Sequence, residues 1–260
     1  MTVIINGYKI KQNENLVGEW RIDIPLECVK SHTKIEVDLL DSNTYFNLAF
    51  CVDALKKMNP TIFLELFIPY FPYSRDDVKK NGTPFYLKTI TMLINALKVD
   101  KVTIVDPHSR ITRKLLKKCH VIEQHDLILK NEDLLNIVQS EDVTLVAPDY
   151  GESLKLLKLK KILTQKRCKK KCIYGIKERD LVTNKVISIS LKVDQMKTKN
   201  YLILDDISDS GDTVYKTAKV LKENGAEKVF LFVTHGIFSK GMDFLKEYID
   251  DIFFYQTFNT

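Results

Sequence analysis

The chain has 260 residues, with 40 Lys and Arg against 34 Asp and Glu, so its formal net charge is +6 at pH 7. This length suits one large domain or two of ordinary size, and a hydrophobic fraction of 45% is normal for a globular protein with a core. No apolar run is long enough to span a bilayer, and the N-terminus lacks a signal-peptide pattern. We therefore expect a cytoplasmic protein without a membrane segment.

The cysteines and the densest basic run indicate no metal or nucleic-acid function. Five scattered cysteines are typical of reduced intracellular thiols. Cys168 and Cys172 flank three lysines, but no second pair completes a zinc site. The run Lys166–Lys171 is interpreted as a solvated helix end and loop, because no nucleic-acid-binding motif accompanies it. A small substrate rich in phosphate explains the modest positive charge equally well.

Hydrophobic periodicity predicts strands that alternate with helices along the chain. The predicted strands are 1–10 with a turn at Asn6-Gly7, 18–25, 34–40, 61–70, 101–105, 142–147, 171–176, 201–204, 228–234 and 250–258. The predicted helices are 44–57, 85–97, 111–118, 153–163 with Leu154, Leu157 and Ile162 inward, and one that ends at Asn224-Gly225. A hairpin or flexible segment is predicted for 183–193.

This alternation indicates an α/β protein with parallel sheets that are covered by helices on both faces. The pattern repeats, and no Pro/Gly-rich linker interrupts it. We therefore expect two similar domains, 1–124 and 125–260, that pack closely. The usual nucleotide fingerprints, G-x-x-x-x-G-K-[ST] and G-x-G-x-x-G, are absent from the sequence.

The stretch Tyr201–Thr213, YLILDDISDSGDT, predicts a ligand site at the carboxyl end of a buried strand. Its turn is rich in backbone N–H groups at the start of a helix, which favours a phosphate. The acidic pair Asp205 and Asp206 suits ribose hydroxyls, or Mg²⁺ held through water. The alternative is an ordinary acidic turn in which Asp209 or Ser210 is the N-cap of the helix.

This stretch resembles the phosphoribosyl-pyrophosphate (PRPP) binding loop of type I phosphoribosyltransferases and of PRPP synthetases. Five further segments look like synthetase motifs in the same order: FIPYFPYSRDD (67–77), TIVDPH (103–108), APDYG (147–151), IKER (176–179) and THGIFS (234–239). Phosphoribosyltransferases share only the loop 205–213 and have one domain. The chain is thus identified as a divergent, shortened relative of the PRPP synthetases.

The resemblance implies a fold and an activity. The fold is two tandem type I phosphoribosyltransferase-like domains with mainly parallel sheets flanked by helices. The activity is transfer of the β,γ-diphosphoryl group of Mg-ATP to the anomeric hydroxyl of ribose 5-phosphate. The expected partners are ATP, the sugar phosphate and further copies of the chain, in a homodimer or larger homo-oligomer. The expected cofactor is Mg²⁺.

The resemblance also implies roles for individual residues. The residues implied to be catalytic are Lys177, Arg179 and His108. Lys177 and Arg179 would neutralise the charge of the transferring phosphoryl groups. ATP contacts fall on Glu19, Arg75, Asp76, Asp77 and His108, and metal ligation falls on His108 and Asp149. The residues implied to bind the sugar phosphate are Asp205, Asp206, Asp209, Ser210, Gly211, Asp212 and Thr213. Those implied to form the pyrophosphate loop are Asp149, Tyr150 and Gly151.

Several residues differ from the family pattern, and these differences affect which acceptor sugar is expected. Asp212 and Glu152 stand where the family has Gly, Asp76 replaces Gln, and Val78 replaces Arg. A carboxylate beside a 5-phosphate dianion is repulsive by about 1 kcal/mol in water. A 5-phosphate that is esterified, as in ADP-ribose, carries one charge and is repelled less. We therefore expect an acceptor that is either ribose 5-phosphate or ADP-ribose, the latter as in a virus-encoded variant of the family that serves NAD⁺ synthesis.

Two other functions remain open at this point. A phosphoribosyltransferase that uses PRPP needs only the loop 205–213 and leaves His108, Asp149 and Lys177 unexplained. A catalytically silent regulatory paralogue of the synthetases is favoured by the changes at Asp76 and Val78. Retention of the charged loop residues argues against it.

Overall fold

The structure is a computed structural model that describes residues 3–14, 19–39, 41–79, 81–166, 168, 170–179, 186–191 and 198–258. The chain divides into two compact units, Met1–Ile122 and Glu123–Thr260. Each unit contains a six-stranded sheet that is mainly parallel, with helices between its strands. The predicted α/β class is confirmed.

In the first unit, strands precede and alternate with three helices. The strands are β1 (Val3–Ile5), β2 (Tyr8–Lys9), β3 (Lys11–Glu14), β4 (Trp20–Asp23), β5 (His32–Val37), β6 (Phe63–Ile68), β7 (Lys101–Val105) and β8 (Cys119–Ile122). The helices are α1 (Ser42–Met58), α2 (Tyr86–Ala96) and α3 (Arg110–Leu115). The sheet order is β2-β1-β5-β6-β7-β8, and β5 to β8 are parallel.

Local sequence explains the hairpin turn at one edge of the first unit's sheet and the start of helix α1. Asn6 and Gly7 both have positive φ, 47° and 87°, as a tight hairpin turn between β1 and β2 requires. The carboxylate of Asp41 accepts hydrogen bonds from the Thr44 backbone N–H and hydroxyl, at 2.8 and 3.0 Å, and so caps α1. Helix α1 then buries Leu48 and Leu55 in the core of this unit.

In the second unit, the described residues form six strands and four helices. The strands are β9 (Val143–Ala147), β10 (Cys172–Arg179), β11 (Val186–Leu191), β12 (Asn200–Ser208), β13 (Lys228–Gly236) and β14 (Asp251–Thr257). The helices are α4 (Gln124–Lys130), α5 (Glu132–Gln139), α6 (Tyr150–Gln165) and α7 (Asp212–Glu223), and a 3₁₀ turn spans Asp243–Glu247. The sheet order is β11-β10-β9-β12-β13-β14, and β11 alone among these strands is antiparallel to its neighbour.

The central strands β9 and β12 are buried on both faces, and each carries the mainly apolar run that is typical of parallel strands, which in β12 extends from Tyr201 to Leu204. They pair in parallel, with Ile203 opposite Val146. Their carboxyl ends, which carry Asp149 and the pair Asp205 and Asp206, therefore lie at the same edge of the sheet. This edge is where open α/β sheets bind ligands.

The predicted inward face of the helix 153–163 is wrong. Leu154 and Leu157 are 42% and 46% exposed, whereas the buried face of α6 carries Leu156, Leu159 and Leu163. The same face begins with two side chains of opposite charge, Glu152 and Lys155, which conceal its periodicity in the sequence. The charges are retained there because they pair with each other and with Asp206, as described below.

Other differences concern short elements. Strand β8 and helices α4 and α5 were not predicted, and β10 continues through Arg179 where a loop was expected. Within 183–193, the described part is β11, which forms a hairpin with β10; the remaining residues lie outside the described ranges. Among the described helices, none has the length and apolar character that crossing a bilayer requires.

Candidate active site

The predicted acidic pair lies within strand β12, which continues past the predicted end at Leu204 to Ser208. Asp205 and Asp206 are 6% and 2% exposed. The Asp206 backbone N–H donates to Asp205 Oδ1 at 3.0 Å, and Gln124 Nε2 donates to the Asp205 carbonyl oxygen at 2.8 Å. Because Gln124 is itself buried, the backbone that carries both carboxylates is fixed before any ligand binds.

The turn after β12 ends at Gly211, which is the N-cap of α7. The N-cap alternatives Asp209 and Ser210 are therefore wrong. Gly211 has φ +82°, and a Cβ there would lie 2.8 Å from the Phe244 ring, so the position requires glycine on both counts. Glycine contributes no side-chain acceptor, so the first backbone N–H groups of α7 suit an anion.

The turn is tied to the THGIFS segment that follows β13. The backbone N–H of Ser239 donates to the Asp209 carbonyl oxygen at 2.8 Å, and those of Ile237 and Phe238 donate to Ser208 at 2.9 and 3.1 Å. A Cβ at Gly236 would lie 2.1 Å from the Phe238 ring. Two of the six predicted motifs are thus brought together in the second unit.

Asp212 has a partner that the sequence analysis missed. Lys240 Nζ donates to both carboxylate oxygens of Asp212, at 2.7 and 2.9 Å. This hydrogen-bonded ammonium lowers the pKa of Asp212 below its ordinary value, so the carboxylate stays charged but is largely neutralised. The repulsion expected from Asp212 alone is thereby reduced. Lys240 lies 28 residues away in the sequence, beyond any local pattern.

Asp149, which is predicted to be a metal ligand, has a structural role. It is the N-cap of α6, and its Oδ1 accepts a hydrogen bond from the Glu152 backbone N–H at 3.0 Å. Of the other pyrophosphate-loop residues, Tyr150 is 82% exposed and Gly151 lies in the first turn of α6. A Cβ at Gly175 of β10 would lie 2.4 Å from the Pro148 carbonyl oxygen, so glycine there lets this loop pack closely.

Three charged side chains, two of them buried, connect the Asp149 loop to the acidic pair. Lys155 Nζ lies 2.7 Å from Asp206 Oδ2 and 3.5 Å from Glu152 Oε2. The side chains of Glu152, Lys155 and Asp206 are 7%, 17% and 2% exposed. We call these three residues the charge triad. Sequence analysis noted Glu152 only as a departure from glycine and did not identify Lys155.

The predicted catalytic residues Lys177 and Arg179 lie at the end of β10. Lys177 pairs with Ile189 of β11 and Arg179 with Val186, with an irregular register between residues 178 and 179. The backbone of this segment is therefore an arm of a β-hairpin at the ligand edge of the sheet. Such an irregularity locally bends and twists a strand.

In the first unit, the predicted ATP residues occupy loops at strand ends. Arg75 and Asp76 are exposed and Asp77 is half-buried. They line a hollow of about 200 Å³ together with Val78, Thr83, Pro84 and Tyr86. Tyr86 stacks on Tyr73, with ring centroids 5.5 Å apart, and Tyr73 has a left-handed φ of 56°.

The two remaining predicted residues of this unit are exposed. His108 follows β7, after Asp106, a buried residue with φ 37°. Glu19 immediately precedes β4. The residues Asn15 and Val17, which stand at the adenine-site positions of the family pattern, lie outside the described ranges.

The double role of Asp149 predicts different outcomes for two substitutions. Asp149→Ala should lower the free energy of unfolding by about 1 kcal/mol because the N-cap is lost, whereas Asp149→Asn should change it by less than about 0.5 kcal/mol because Asn caps equally well. Urea unfolding monitored by circular dichroism measures both values. Equal stability of the two variants would contradict the assigned cap.

Comparisons with known proteins find similar sequences. A family model described as "Phosphoribosyl synthetase-associated domain" matches residues 182–257. The ribose-phosphate pyrophosphokinase of Mycoplasmopsis pulmonis is 28% identical over 207 residues, which cover 79% of this chain and 62% of that enzyme. That of Pyrococcus furiosus is 28% identical over 204 residues, which cover 77% of this chain and 68% of the enzyme.

A solved structure shows the same fold. The crystal structure of phosphoribosylpyrophosphate synthetase from Mycobacterium smegmatis matches 92% of this chain and 76% of its own, with a TM-score of 0.74 at 20% identity. The chain thus spans 62% of the Mycoplasmopsis enzyme while retaining the six motifs in order. These matches make the chain similar to the ribose-phosphate pyrophosphokinases, or PRPP synthetases, and support a divergent relative of that family.

Proposed function

We propose that the protein is an ATP-dependent pyrophosphokinase. It transfers the β,γ-diphosphoryl group of ATP to the 1-hydroxyl of a ribose 5-phosphate-type acceptor and releases AMP. The observation that supports this most strongly is the end of β12, where a buried carboxylate pair is followed by a helix that begins at Gly211. The matched relatives are named for this activity.

The acceptor half of the proposal follows from the chemistry of the loop. Backbone N–H groups at the start of α7 bind the 5-phosphate, helped by the helix dipole. The hydroxyls of Ser210 and Thr213 are further donors beside the same helix start. The carboxylates of Asp205 and Asp206 accept hydrogen bonds from the ribose hydroxyls. This orients the 1-hydroxyl for attack, and positioning supplies much of the rate in phosphoryl transfer.

The ATP half depends on positive charge. Arg75, which is exposed beside the loop hollow, binds the ATP phosphates. Lys177 and Arg179 neutralise the charge that develops on the transferring group. The carboxylates at the ligand edge and the imidazole of His108 are hard or borderline donors that fit Mg²⁺, and Asp149 and His108 would hold it. Bound Mg²⁺ supplies further neutralisation of phosphate charge.

The finer proposal concerns the acceptor. The ion pair with Lys240 offsets part of the negative charge of Asp212, and the lowered pKa of Asp212 keeps its carboxylate ionised. A 5-phosphate monoester carries two charges and is repelled more by Asp212 than the singly charged esterified phosphate of ADP-ribose. We favour ADP-ribose as an acceptor, giving ADP-ribose 1-pyrophosphate for NAD⁺ synthesis, with ribose 5-phosphate as the alternative that gives PRPP.

The alternatives explain less of the molecule. A PRPP-dependent phosphoribosyltransferase would use the β12 loop but leave the first unit, with its Arg75 hollow, without a role. A silent paralogue would not require a lysine 2.7 Å from the buried Asp206 carboxylate. A homodimer or larger assembly, and a cytoplasmic location where ATP and sugar phosphates are available, remain predictions.

Substitution of Lys177 tests the catalytic assignment. Lys177→Ala should lower the rate of acceptor-dependent AMP formation by about 10²-fold or more, because a charge that stabilises the transition state is lost. ATP binding, measured by calorimetry, should change little. Lys219→Ala is the matched control, since Lys219 is a surface residue of α7 paired with Glu223 at 3.8 Å. Retained activity in Lys177→Ala would show that the catalytic assignment is wrong.

Substitution of Lys240 tests the acceptor proposal. Lys240→Ala leaves Asp212 without its ammonium, so the KM for ribose 5-phosphate should rise about fivefold, as expected for about 1 kcal/mol of added repulsion. The KM for ADP-ribose should rise less, and Asp212→Gly should lower the KM for ribose 5-phosphate. Lys246→Ala, which removes an exposed partner of Asp243, is the control. Equal effects on both acceptors would contradict a role for this pair in selection.

A further inference from the structure

The charge triad is unusual because it puts two carboxylates and one ammonium into the interior of the second unit. Its side chains are between 2% and 17% exposed, on a face of α6 whose other members include Leu156, Leu159 and Leu163. Burial of charge without full compensation is costly, and apolar residues at such positions are often equally or more stabilising. A role in stability alone is therefore a weak explanation for these charges.

The distances within the triad are unequal. Lys155 Nζ makes a hydrogen bond of 2.7 Å to Asp206 Oδ2, while Glu152 Oε2 lies 3.5 Å away. The ammonium is therefore directed mainly at Asp206, and Glu152 is its more distant partner. Glu152 also donates its backbone N–H to the Asp149 carboxylate. The triad thus connects the first turn of α6 to the carboxylate pair of β12.

We propose that Lys155 is a positioning residue for the sugar acceptor. It holds Asp206 Oδ2 from the protein side, which restricts the carboxylate to one rotamer and keeps it charged for the acceptor's ribose hydroxyls. The Asp205 side of the pair is fixed independently, through its backbone, by Gln124. This inference rests on the proposed function, since it assumes that Asp206 contacts the acceptor.

A set of charge-matched variants tests the proposal. The triad has a net charge of −1, from two carboxylates and one ammonium. Glu152→Gln makes it neutral and keeps the contact between Lys155 and Asp206. The double variant Glu152→Gln with Lys155→Gln returns the net charge to −1 but removes that contact. Comparison of the two separates the specific contact from the amount of buried charge.

The expected result is a change in the KM for the acceptor without a similar change in the KM for ATP. The double variant should raise the acceptor KM by about tenfold or more, because misplacement of a binding group is costly, while the KM for ATP stays within about twofold. Glu152→Gln should have an acceptor KM close to that of the parent. Lys155→Arg, which preserves charge and reach, should restore most of the acceptor affinity. Lys158→Gln is the control, since Lys158 pairs with Glu123 from the surface of the same helix.

Two outcomes would overturn the proposal: an unchanged acceptor KM in the double variant, or equal increases in the KM for acceptor and for ATP. Thermal unfolding is measured for every variant, and if the double variant does not fold, the comparison of Lys155→Arg with Glu152→Gln decides. In that case an acceptor KM raised about tenfold or more in both variants, which each keep a cation against Asp206, would overturn it. Calorimetric binding of ribose 5-phosphate is measured in parallel. If the parent binds this sugar without forming AMP, the proposed function fails while the role of Lys155 is still tested.

Discussion

The ion pair between Lys155 and Asp206 is the contact around which the second unit's ligand edge is organised. Strand β12 is buried along most of its length, yet it carries two carboxylates at its end. Such groups stay ionised in the interior only when opposite charge or hydrogen-bond donors lie close. Lys155 supplies the charge from α6, and Gln124 fixes the adjacent backbone from α4. The helices on this face of the sheet thus position the carboxylates of β12, whose burial would be destabilising without these contacts.

A second balance of charge lies at the start of α7. Gly211 gives this helix an N-terminus that suits an anion, and Asp212, the first residue of the helix, works against that by bringing a negative charge. Lys240 offsets this charge from the segment after β13. The two lysines pair with acidic residues on either side of the same turn, Asp206 with little exposure and Asp212 exposed. The exposed pair is screened by solvent, so it contributes little to stability.

Features that depend on neighbouring residues were predicted from the sequence. Those that were missed are contacts between residues distant in the sequence, and short helices. Alternation of strands and helices predicted the sheets, and the acidic strand end with its small-residue turn predicted the ligand loop. Lys155 and Lys240 were missed because their partners lie 51 and 28 residues away. The buried face of α6 was misassigned because Glu152 and Lys155 interrupt its apolar spacing. Helices α4 and α5, with seven and eight residues, are shorter than the windows in which helical periodicity is distinct.

Phosphorus NMR of the parent protein with Mg-ATP and either ribose 5-phosphate or ADP-ribose tests the central claim most directly. The proposed pyrophosphokinase predicts that the ATP resonances are replaced by those of AMP and of a diphosphate on the sugar 1-position, without formation of ADP. Turnover should require the acceptor, and the rates with the two sugars identify it. Absence of acceptor-dependent AMP, or release of pyrophosphate only when PRPP and a nucleobase are supplied, would contradict the account.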